Sequence, residues 1–485
     1  MTTSVGIGAE YLLTIDLHHS FESNGQAAFS TLRLQRCRMS AIAPTCALLV
    51  LVELDRPNRL LSKRGKEIVE ENTMNTSFEI SGGVADRTSH SEAGHLYIQS
   101  NEIRNTVIHY GRAVDGSLVE CERINTGGSG SGIFKPVSGQ LSAPNAFEGA
   151  GSVILADDNR LLFATNGGDN SVSSFRVDDA GSLTLLDVKP TGNPVAGRSG
   201  TAKSLAYAPS TNVLYVLHAF GPDHLRAFSV SEGMLTPRED RYSVNMPSKP
   251  DRIPTQVVLS PDERFLLVDI LFDERPSTNA DGTTKLVVAN ASEPDGLVVF
   301  PVQSMGNLGS PSFHDAGGAG PFYIAFLHGR NDTFINGTAV GDGLVTSFID
   351  REGNIRVGDL IPIDTQLGKP SELCWLAISP DNARIFATNF GYGNISTYEV
   401  DGENLSILQD PACVAIPGDG TFRAVNGLVS SGPSDNWLTP DGKFLYQIYG
   451  NAAVLIGYAV GADGALTEIT RVDIPYNSPQ GLAGF

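Results

Sequence analysis

The chain has 485 residues and a strong acidic excess, because 34 Lys and Arg residues stand against 54 Asp and Glu residues and give a formal charge of −20. A charge of this sign repels phosphate backbones and anionic lipid surfaces, so nucleic acid and membrane are excluded as expected partners. No apolar run approaches the ~20 residues that a membrane-spanning helix needs. We therefore expect a soluble chain.

Five cysteines are scattered along the chain, at positions 37, 46, 121, 374 and 413. Their number is odd, and no CxxC pair or metal-ligand spacing occurs, so we predict reduced structural thiols. No signal peptide is visible at residue 1, which predicts a cytoplasmic protein. Translation from Met39 would place the mildly apolar residues 41–52 behind Arg33, Arg36 and Arg38, and secretion stays open in that case.

Residues 1–92 form a separate segment in which no repeat can be found. Residues 47–54 could form a strand, and residues 59–72 could form a short charged helix. Nothing in the sequence organises these pieces into a domain. We predict an N-terminal appendage, poorly defined or partly disordered, followed by a single repeat domain over residues 93–485.

That domain repeats one phrase: an apolar run, a Ser-Pro-Asp-like turn, a second apolar run, then a polar turn and an aromatic-bearing strand. The turn reads Ser-Pro-Asp at residues 260–262 and 379–381, and Thr-Pro-Asp at residues 439–441. Full copies begin near residues 152, 204, 256, 321, 374 and 435. A four-stranded unit of this kind cannot bury both faces alone and must stack on its copies. The repeats predict an all-β, seven-bladed β-propeller with four-stranded antiparallel blades.

The first copy is incomplete, because residues 95–98, 106–110 and 118–123 resemble the second, third and fourth strands of a blade with no inner strand before them. Residues 480–485 resemble a first strand whose partners never follow. We predict that the C-terminal strand pairs with residues 95–98 and closes the ring. Closure of this kind leaves few exposed sheet edges.

With the repeats laid out, the sequence resembles the lactonase-type seven-bladed propellers, the family that contains carboxy-cis,cis-muconate cyclase and one class of 6-phosphogluconolactonase. The resemblance is carried by residues 171–177 and 181–186, by the Ser-Pro-Asp turns, and by residues 479–484. It covers residues 93–485 and implies reactions that add a carboxylate to an alkene or open a lactone. It also implies a site of His, Arg and Glu in the central depression.

The chain departs from the family at that site. Family members carry a Pro-His-type motif where certain inner strands begin, whereas this chain has Thr-Ala-Lys-Ser at residues 201–204 and Pro-Thr-Gln-Val at residues 254–257. The acid/base histidine of the family therefore has no counterpart at the start of an inner strand. Neither activity follows from the resemblance alone.

The loops that lead into the inner strands carry many cations for so acidic a chain: Lys135, Arg198, Lys203, Lys249, Arg252, Lys369 and Arg423. A ring of such residues could bind a carboxylate or a phosphate, with Arg supplying bidentate geometry. The alternative is that neighbouring carboxylates offset them. Neighbours of this kind include Glu148, Asp251, Glu372 and Asp435.

Seven polar or aromatic residues stand at the starts of the inner strands: Lys203, Gln256, Tyr323, Glu372, Trp375, Asn436 and Gln480. Proton transfer would require Glu372, Asp435, Lys203 or Tyr323. Of these we select Glu372 and Lys203 as catalytic, although Glu372 and Asp435 could instead cap turns. The substrate-binding candidates are Arg198, Arg252, Gln256, Tyr323, Trp375, Asn436 and Gln480, and Trp375 could instead be core between blades.

The ends of the second strands add Asn101, Asn166, Asp269, Asn389 and His218. The Asn residues suit turns, since Asn tolerates left-handed backbone. His218 is the one histidine expected at the loop-bearing face, so it joins the catalytic candidates, with a structural hydrogen bond as the alternative. A divalent cation on Glu372, Asp435 and Asn436 is conceivable, but no spacing rule supports it. We predict no metal site and no cofactor.

Two functions remain open. The first is an enzyme, either an isomerase-type cyclase or a lactone hydrolase, that forms or opens a lactone on a small organic acid or secondary metabolite. The second is a catalytically silent propeller that binds a ligand or protein partner at the channel mouth. A mouth filled by apolar side chains favours the second. The sequence leaves the substrate, the direction of reaction and the oligomeric state undetermined.

Overall fold

In the computed structural model the chain divides into two compact units, Met1–Gly83 and Val84–Phe485. The structure describes residues 2–6, 12–16, 92–195, 201–279, 284–364 and 368–485. In the first unit, β1 (Thr2–Gly6) pairs antiparallel with β2 (Leu12–Asp16). The strand and helix predicted over residues 47–72 lie outside the described residues, as does Arg198.

The second unit contains seven antiparallel sheets in the described residues, each built mainly from consecutive strands. We number these sheets as blades 1 to 7 in chain order.

Blade 1 contains β3 (Glu92–Gln99), β4 (Thr106–Ala113) and β5 (Leu118–Asn125). Blade 2 contains β6 (Val153–Ala156), β7 (Leu161–Asn166), β8 (Ser171–Val177) and β9 (Leu183–Pro190). Blade 3 contains β10 (Ala202–Ala208), β11 (Val213–His218), β12 (Leu225–Ser231) and β13 (Met234–Tyr242). Blade 4 contains β14 (Ile253–Leu259), β15 (Phe265–Thr278), β16 (Thr284–Val288), β17 (Leu297–Pro301) and β18 (Ser312–His314). Blade 5 contains β19 (Pro321–Phe326), β20 (Thr333–Thr338), β21 (Gly343–Ile349) and β22 (Ile355–Pro362).

Blade 6 contains β23 (Leu373–Ile378), β24 (Arg384–Asn389), β25 (Asn394–Asp401) and β26 (Asn404–Gln409). Blade 7 contains β27 (Pro433–Leu438), β28 (Phe444–Tyr449), β29 (Val454–Val460) and β30 (Leu466–Asp473). The last strand is β31 (Gln480–Gly484). Two 3-10 turns, Ser304–Gly306 and Gly450–Ala452, accompany these strands in the described chain. None of the described helices is long and apolar enough to cross a membrane.

The repeated Ser-Pro-Asp phrase forms the hairpin between the first and second strands of a blade. In blade 6 the Ser379 hydroxyl donates to Asp381 Oδ1 at 2.6 Å and accepts from Arg384 N at 2.8 Å. Blades 4 and 7 repeat these bonds with Ser260 and Thr439. The hydroxyl thus ties the turn to the start of the next strand, which explains why the phrase recurs at this position.

The ring closes as predicted. Strand β31 pairs antiparallel with β3, with Leu96 opposite Gly484 and Ile98 opposite Leu482. Blade 1 therefore has the order β31-β3-β4-β5, and its inner strand comes from the opposite end of the domain. Because β31 supplies the inner strand of blade 1, each of the seven blades has an inner strand.

Blade 4 differs from the predicted four strands. Its second strand β15 continues for 14 residues, and the extension pairs with β16 before the chain reaches the third strand, β17. The residues that join second and third strands by a short loop elsewhere form a projecting hairpin here. Blade 4 thus has five strands.

Most inner strands contain a bulge near their start, where one or two residues stand outside the pairing register. These residues are Lys203, Thr255 with Gln256, Phe322, Cys374 with Trp375, Asp435 and Gly481. A bulge redirects the side chain of the extra residue away from the regular alternation. The bulges therefore decide which side chains come close to the central channel.

Removing residues 480–485 should strongly destabilise the propeller, because it exposes the inner edge of β3 and removes the buried Leu482. We expect the free energy of unfolding, measured in urea, to fall by more than the ~2–5 kcal/mol lost when a buried Leu becomes Ala. Deletion of residues 1–83 is the control, because it leaves every propeller strand in place. A C-terminal truncation that unfolds at the same urea concentration as the full chain would contradict this closure.

Candidate active site in the central channel

The inner strands surround a central cavity of about 560 Å³. We call the side of the propeller that bears the loops leading into the inner strands the loop face, and the side that bears the hairpins after those strands the turn face. The cavity is lined by residues 151, 153–157, 205–207, 209, 256–259, 323, 435–437 and 482–484. This lining reaches the last residues of β14 and passes the ends of β6 and β10, so the cavity extends to the turn face.

The loop face is covered by two segments of chain, residues 126–152, which we call the strap, and residues 410–432. Val137, Ala143 and Ala150 of the strap join Phe422 and Ala424 in one apolar cluster. The same cluster includes Phe322 and Trp375 from the inner strands of blades 5 and 6. Apolar side chains therefore fill the channel mouth on the loop face.

Hydrogen bonds fasten the strap to the seam where the ring closes. Pro144 O accepts from Gln480 Nε2 at 2.8 Å, and Ser142 Oγ accepts from Asn477 Nδ2 at 2.8 Å. Farther along, Ala150 N donates to Thr255 O at 3.3 Å. Gln480, a predicted substrate-binding residue, thus holds the strap and lies outside the cavity lining.

Asp435 is a buried carboxyl group in the cavity wall. It is the bulge residue of β27, it has a left-handed backbone with φ of 48°, and it is 5% exposed. Its Oδ2 accepts from Gly481 N at 2.8 Å, and Gly151 N also donates to the carboxyl. Burial raises the pKa of Asp435 to about 7, against these two hydrogen bonds, which lower it.

Tyr323 lines the same cavity from blade 5. Burial raises the pKa of its phenol well above the ordinary value, and the charge of Asp435 raises it further. Tyr323 therefore keeps its proton at neutral pH and can donate a hydrogen bond. Beside it, Gln256 Oε1 accepts from Ile324 N at 2.6 Å, which fixes the Gln256 side chain between blades 4 and 5.

Asn436 also contributes to the cavity wall. Its Nδ2 donates to Thr388 Oγ1 at 3.1 Å, while its buried Oδ1 has no hydrogen-bond partner among the described residues. A buried acceptor without a partner is costly, so it suits a hydroxyl group of a ligand or a water. Three predicted residues, Gln256, Tyr323 and Asn436, are thus brought together with Asp435.

The two selected acid/base residues Lys203 and Glu372 lie elsewhere, under the covered loop face. Lys203 Nζ donates to Pro254 O at 2.6 Å, and burial lowers the pKa of the amine to about 7. Glu372 Oε1 accepts from Asn426 N at 2.5 Å, and burial raises the pKa of the carboxyl to about 7. Neither residue belongs to the cavity lining.

His218 is fully buried and both ring nitrogens are engaged. Nδ1 lies 3.1 Å from His224 O and Nε2 lies 2.8 Å from Thr191 Oγ1. Burial lowers the pKa of the imidazole to about 3, so the ring is neutral at physiological pH. These contacts match the structural alternative considered for this histidine, and we do not include it in the proposed site.

Three cations of the loop face are paired with carboxylates. Arg252 is 0% exposed and bonds Asp273 Oδ1 at 2.9 Å and Asp295 Oδ1 at 2.7 Å. Lys249 bridges the same two carboxylates, at 3.0 and 2.6 Å. A third pair joins Lys135 Nζ to Glu148 Oε1 at 2.7 Å. These three cations hold the loops together. Of the other predicted loop cations, Arg423 is exposed and donates to Gly427 O at 3.0 Å, and Lys369 is half-buried.

Trp375 belongs to the core between blades, the alternative reading of this residue. Its ring packs at 4.8 Å against Phe322 and at 6.2 Å against Phe390, between ring centroids. The described chain contains no group of three His, Cys, Asp or Glu side chains placed to hold a metal ion.

Two aromatic residues of the cavity wall, Tyr207 and Trp437, were not singled out in the sequence. The available signal was the repeat itself. Trp437 lies two residues after the bulge residue Asp435, and Leu205 lies two residues after the bulge residue Lys203. Aligning the repeats on their bulges would therefore have placed Trp437 and Leu205 at equivalent positions of their inner strands. The direction of each side chain could not be obtained in this way.

Solved structures share this architecture over nearly their whole length. A candidate 6-phosphogluconolactonase from Bacteroides uniformis ATCC 8492 is 14% identical, with a TM-score of 0.57, and the match covers 81% of this chain and 99% of that one. The periplasmic gluconolactonase of Pseudomonas aeruginosa is 16% identical, with a TM-score of 0.54 and coverage of 81% and 98%. The chain has the fold of the lactonase-type seven-bladed propellers.

The lactonase-type propeller fold is shared with proteins that carry other names. A hypothetical selenium-binding protein from Sulfolobus tokodaii is 10% identical, with a TM-score of 0.55 and coverage of 81% of this chain and 93% of that one. No family model and no curated protein matches the sequence. Because identities this low establish the fold alone, the activity must be argued from the cavity.

Replacing Arg252 by Met should destabilise the propeller by about 3–5 kcal/mol, because the buried Asp273 and Asp295 would lose their guanidinium partner. The measurement is urea denaturation at neutral pH. Arg241→Met is the matched control, since Arg241 is 60% exposed and its pair with Asp223 should contribute less than about 1 kcal/mol. Equal, small losses in both variants would show that Arg252 is not the structural group described here.

Proposed function

We propose that the chain is a lactone hydrolase that works in the central cavity. The observation that carries the proposal is Asp435, a buried carboxyl with a pKa of about 7 in the wall of a cavity large enough for a small lactone. The fold adds support, because a gluconolactonase and candidate 6-phosphogluconolactonases share it.

Asp435 is suited to act as the general base. A base is most effective when its pKa lies near the working pH, because it is then deprotonated for much of the time and still strong enough to take a proton. The carboxylate would take a proton from water while the water oxygen bonds to the lactone carbonyl carbon. The ring C–O bond then breaks, and the proton passes from Asp435 to the departing ring oxygen.

Tyr323 and Asn436 complete the proposed site. The Tyr323 phenol stays protonated, so it can donate to the carbonyl oxygen as negative charge develops there. Asn436 Oδ1, which lacks a described partner, can accept from a substrate hydroxyl. Both groups line the cavity together with Asp435, and this shared location supports a role for all three on one ligand.

A second candidate function is ligand binding without catalysis. It is favoured by the apolar cluster that fills the channel mouth on the loop face, where Phe422 and Ala424 pack with Trp375. Both functions place the ligand in the cavity. Turnover of a lactone separates them, because a silent binder would saturate with the ligand and release it unchanged.

Asp435→Asn should lower kcat for lactone opening by about 10²–10⁴-fold, as expected for loss of a general base. Asn tolerates the left-handed backbone at this position, so the fold should persist. In the unmodified chain kcat should rise with pH through about 7, because the base works only when deprotonated. The variant should lose this rise. Both are measured by pH-stat titration over a panel of lactones.

Asp342→Asn is the matched control for that experiment. Asp342 is also a buried Asp with positive φ, but its carboxylate accepts from Ser371 and lies outside the cavity lining. Its kcat should stay unchanged. If Glu372→Gln removes the activity and Asp435→Asn does not, the chemistry takes place under the strap and the proposal is wrong.

A further inference from the structure

The charges around the cavity are one-sided. Among the described residues that line it, two carry a carboxyl group: Asp157 at the turn face and Asp435 near the seam. None of these lining residues is Lys, Arg or His. Aliphatic residues make up most of the remaining wall, together with the aromatic residues Tyr207, Tyr323 and Trp437. An anionic ligand would lose its hydration in this cavity without gaining a cation in exchange.

The nearest cations of the described chain do not supply that partner. Lys203 is fully buried and donates to Pro254 O, and Lys135 is bound to Glu148. Arg252 is held between two carboxylates of its own. Carboxylates thus neutralise Lys135 and Arg252, while the Lys203 amine is directed to a backbone carbonyl and lies outside the cavity lining. The charged side chains of the lining that a ligand would meet are the two Asp residues.

The route into the cavity follows from the same geometry. On the loop face the strap crosses the channel: Gly149 packs so closely that an added Cβ would lie 2.5 Å from Thr255 O and 2.7 Å from Lys203 Cε. On the turn face the lining continues to Asp157 and Pro209, which are both exposed. The cavity is therefore open at the turn face, beside the ends of β6 and β10, and a small molecule can approach Asp435 from there.

We propose that the cavity takes an uncharged lactone through the turn face and excludes lactones that carry a phosphate or carboxylate group. The inference rests on the proposed hydrolysis and narrows its substrate class. The proposed substrate class distinguishes this chain from any enzyme that binds a sugar phosphate through a ring of cationic side chains. It also argues against a muconate-like substrate, whose carboxylates would approach Asp435.

The first test compares glucono-δ-lactone with its 6-phosphate, two probes that differ by one anionic group. We expect kcat/KM to be at least ~10-fold higher for the uncharged lactone at low ionic strength, and the ratio to shrink in high salt. Ala156→Lys, which adds a cation to the cavity wall near the turn face, should raise the relative kcat/KM of the phosphate. Ala156→Met is the control of equal length without charge. A preference of the unmodified chain for the phosphate would overturn the inference.

The second test concerns the route. Ala156→Trp should lower kcat/KM by at least ~10-fold, because Ala156 lines the cavity close to its open end. Val425→Trp is the control, because it introduces the same side chain on the opposite side of the propeller, in the segment 410–432 that covers the loop face. Val425 is 74% exposed, and we expect its replacement to leave kcat/KM unchanged. The opposite result would place the route on the loop face. Thermal melting of both variants shows whether each one folds.

Calorimetric titration with gluconolactam and its 6-phosphate separates failure of this inference from failure of the proposed function. The lactams lack the ester bond that is hydrolysed. Binding of the uncharged lactam by a chain that opens no lactone would support the inference and reject the hydrolase. Tighter binding of the phosphorylated lactam, or binding of neither, would reject the inference whatever the turnover.

Discussion

The hydrogen bond from Gly481 N to the Asp435 carboxylate joins the last blade to the strand that closes the ring. Gly151 N donates to the same carboxyl, so one side chain contacts the inner edges of blades 7 and 1 and the start of blade 2. The bulge in β27 makes this possible, because it takes Asp435 out of the pairing register. The proposed base thus lies at the seam where the ring closes.

This arrangement has an electrostatic consequence. Burial disfavours the charged carboxylate, while two backbone donors favour it, and burial prevails enough to bring the pKa of Asp435 to about 7. Several other buried charges of the protein are paired with opposite charges. Arg252 and Lys249 share Asp273 and Asp295, and the strap carries its own pair, Lys135 with Glu148. Asp435 has no such cation among the described residues. Asp269 is also buried, and Glu372 largely buried, without an ion pair in that part of the chain, and Asp435 differs from them because it lines the cavity.

Much of the fold could be predicted from the sequence because the repeat is local. The Ser-Pro-Asp phrase forms its hairpin through contacts within a few residues, as Ser379 does with Asp381 and Arg384. Closure by residues 480–485 followed from the incomplete first copy. The extra strand of blade 4 was not predicted, because Thr284–Val288 pairs with a continuation of β15 that has no counterpart in the other copies.

The site was harder to predict because its residues are selected by tertiary contacts. Lys203 and Asp435 both occupy inner-strand bulges, yet one bonds Pro254 O beneath the strap and the other lines the cavity. Arg252 had the right residue type for binding a carboxylate, but Asp273 and Asp295, which are distant in sequence, already occupy its guanidinium. Nothing local in the sequence distinguishes these outcomes. The strap decides them, since it closes the face on which the cations were expected to act.

The most direct measurement is the ionisation of Asp435 itself. The protein would be labelled with ¹³C at the Asp carboxyl carbons and titrated by NMR, with the Asp435 resonance assigned by its absence in the Asn variant. The account predicts a midpoint at about pH 7, well above that of the exposed Asp residues. A midpoint near the ordinary Asp value of about 4 would contradict it, because a carboxylate that is ionised so easily is neither buried as described nor tuned to act as the base.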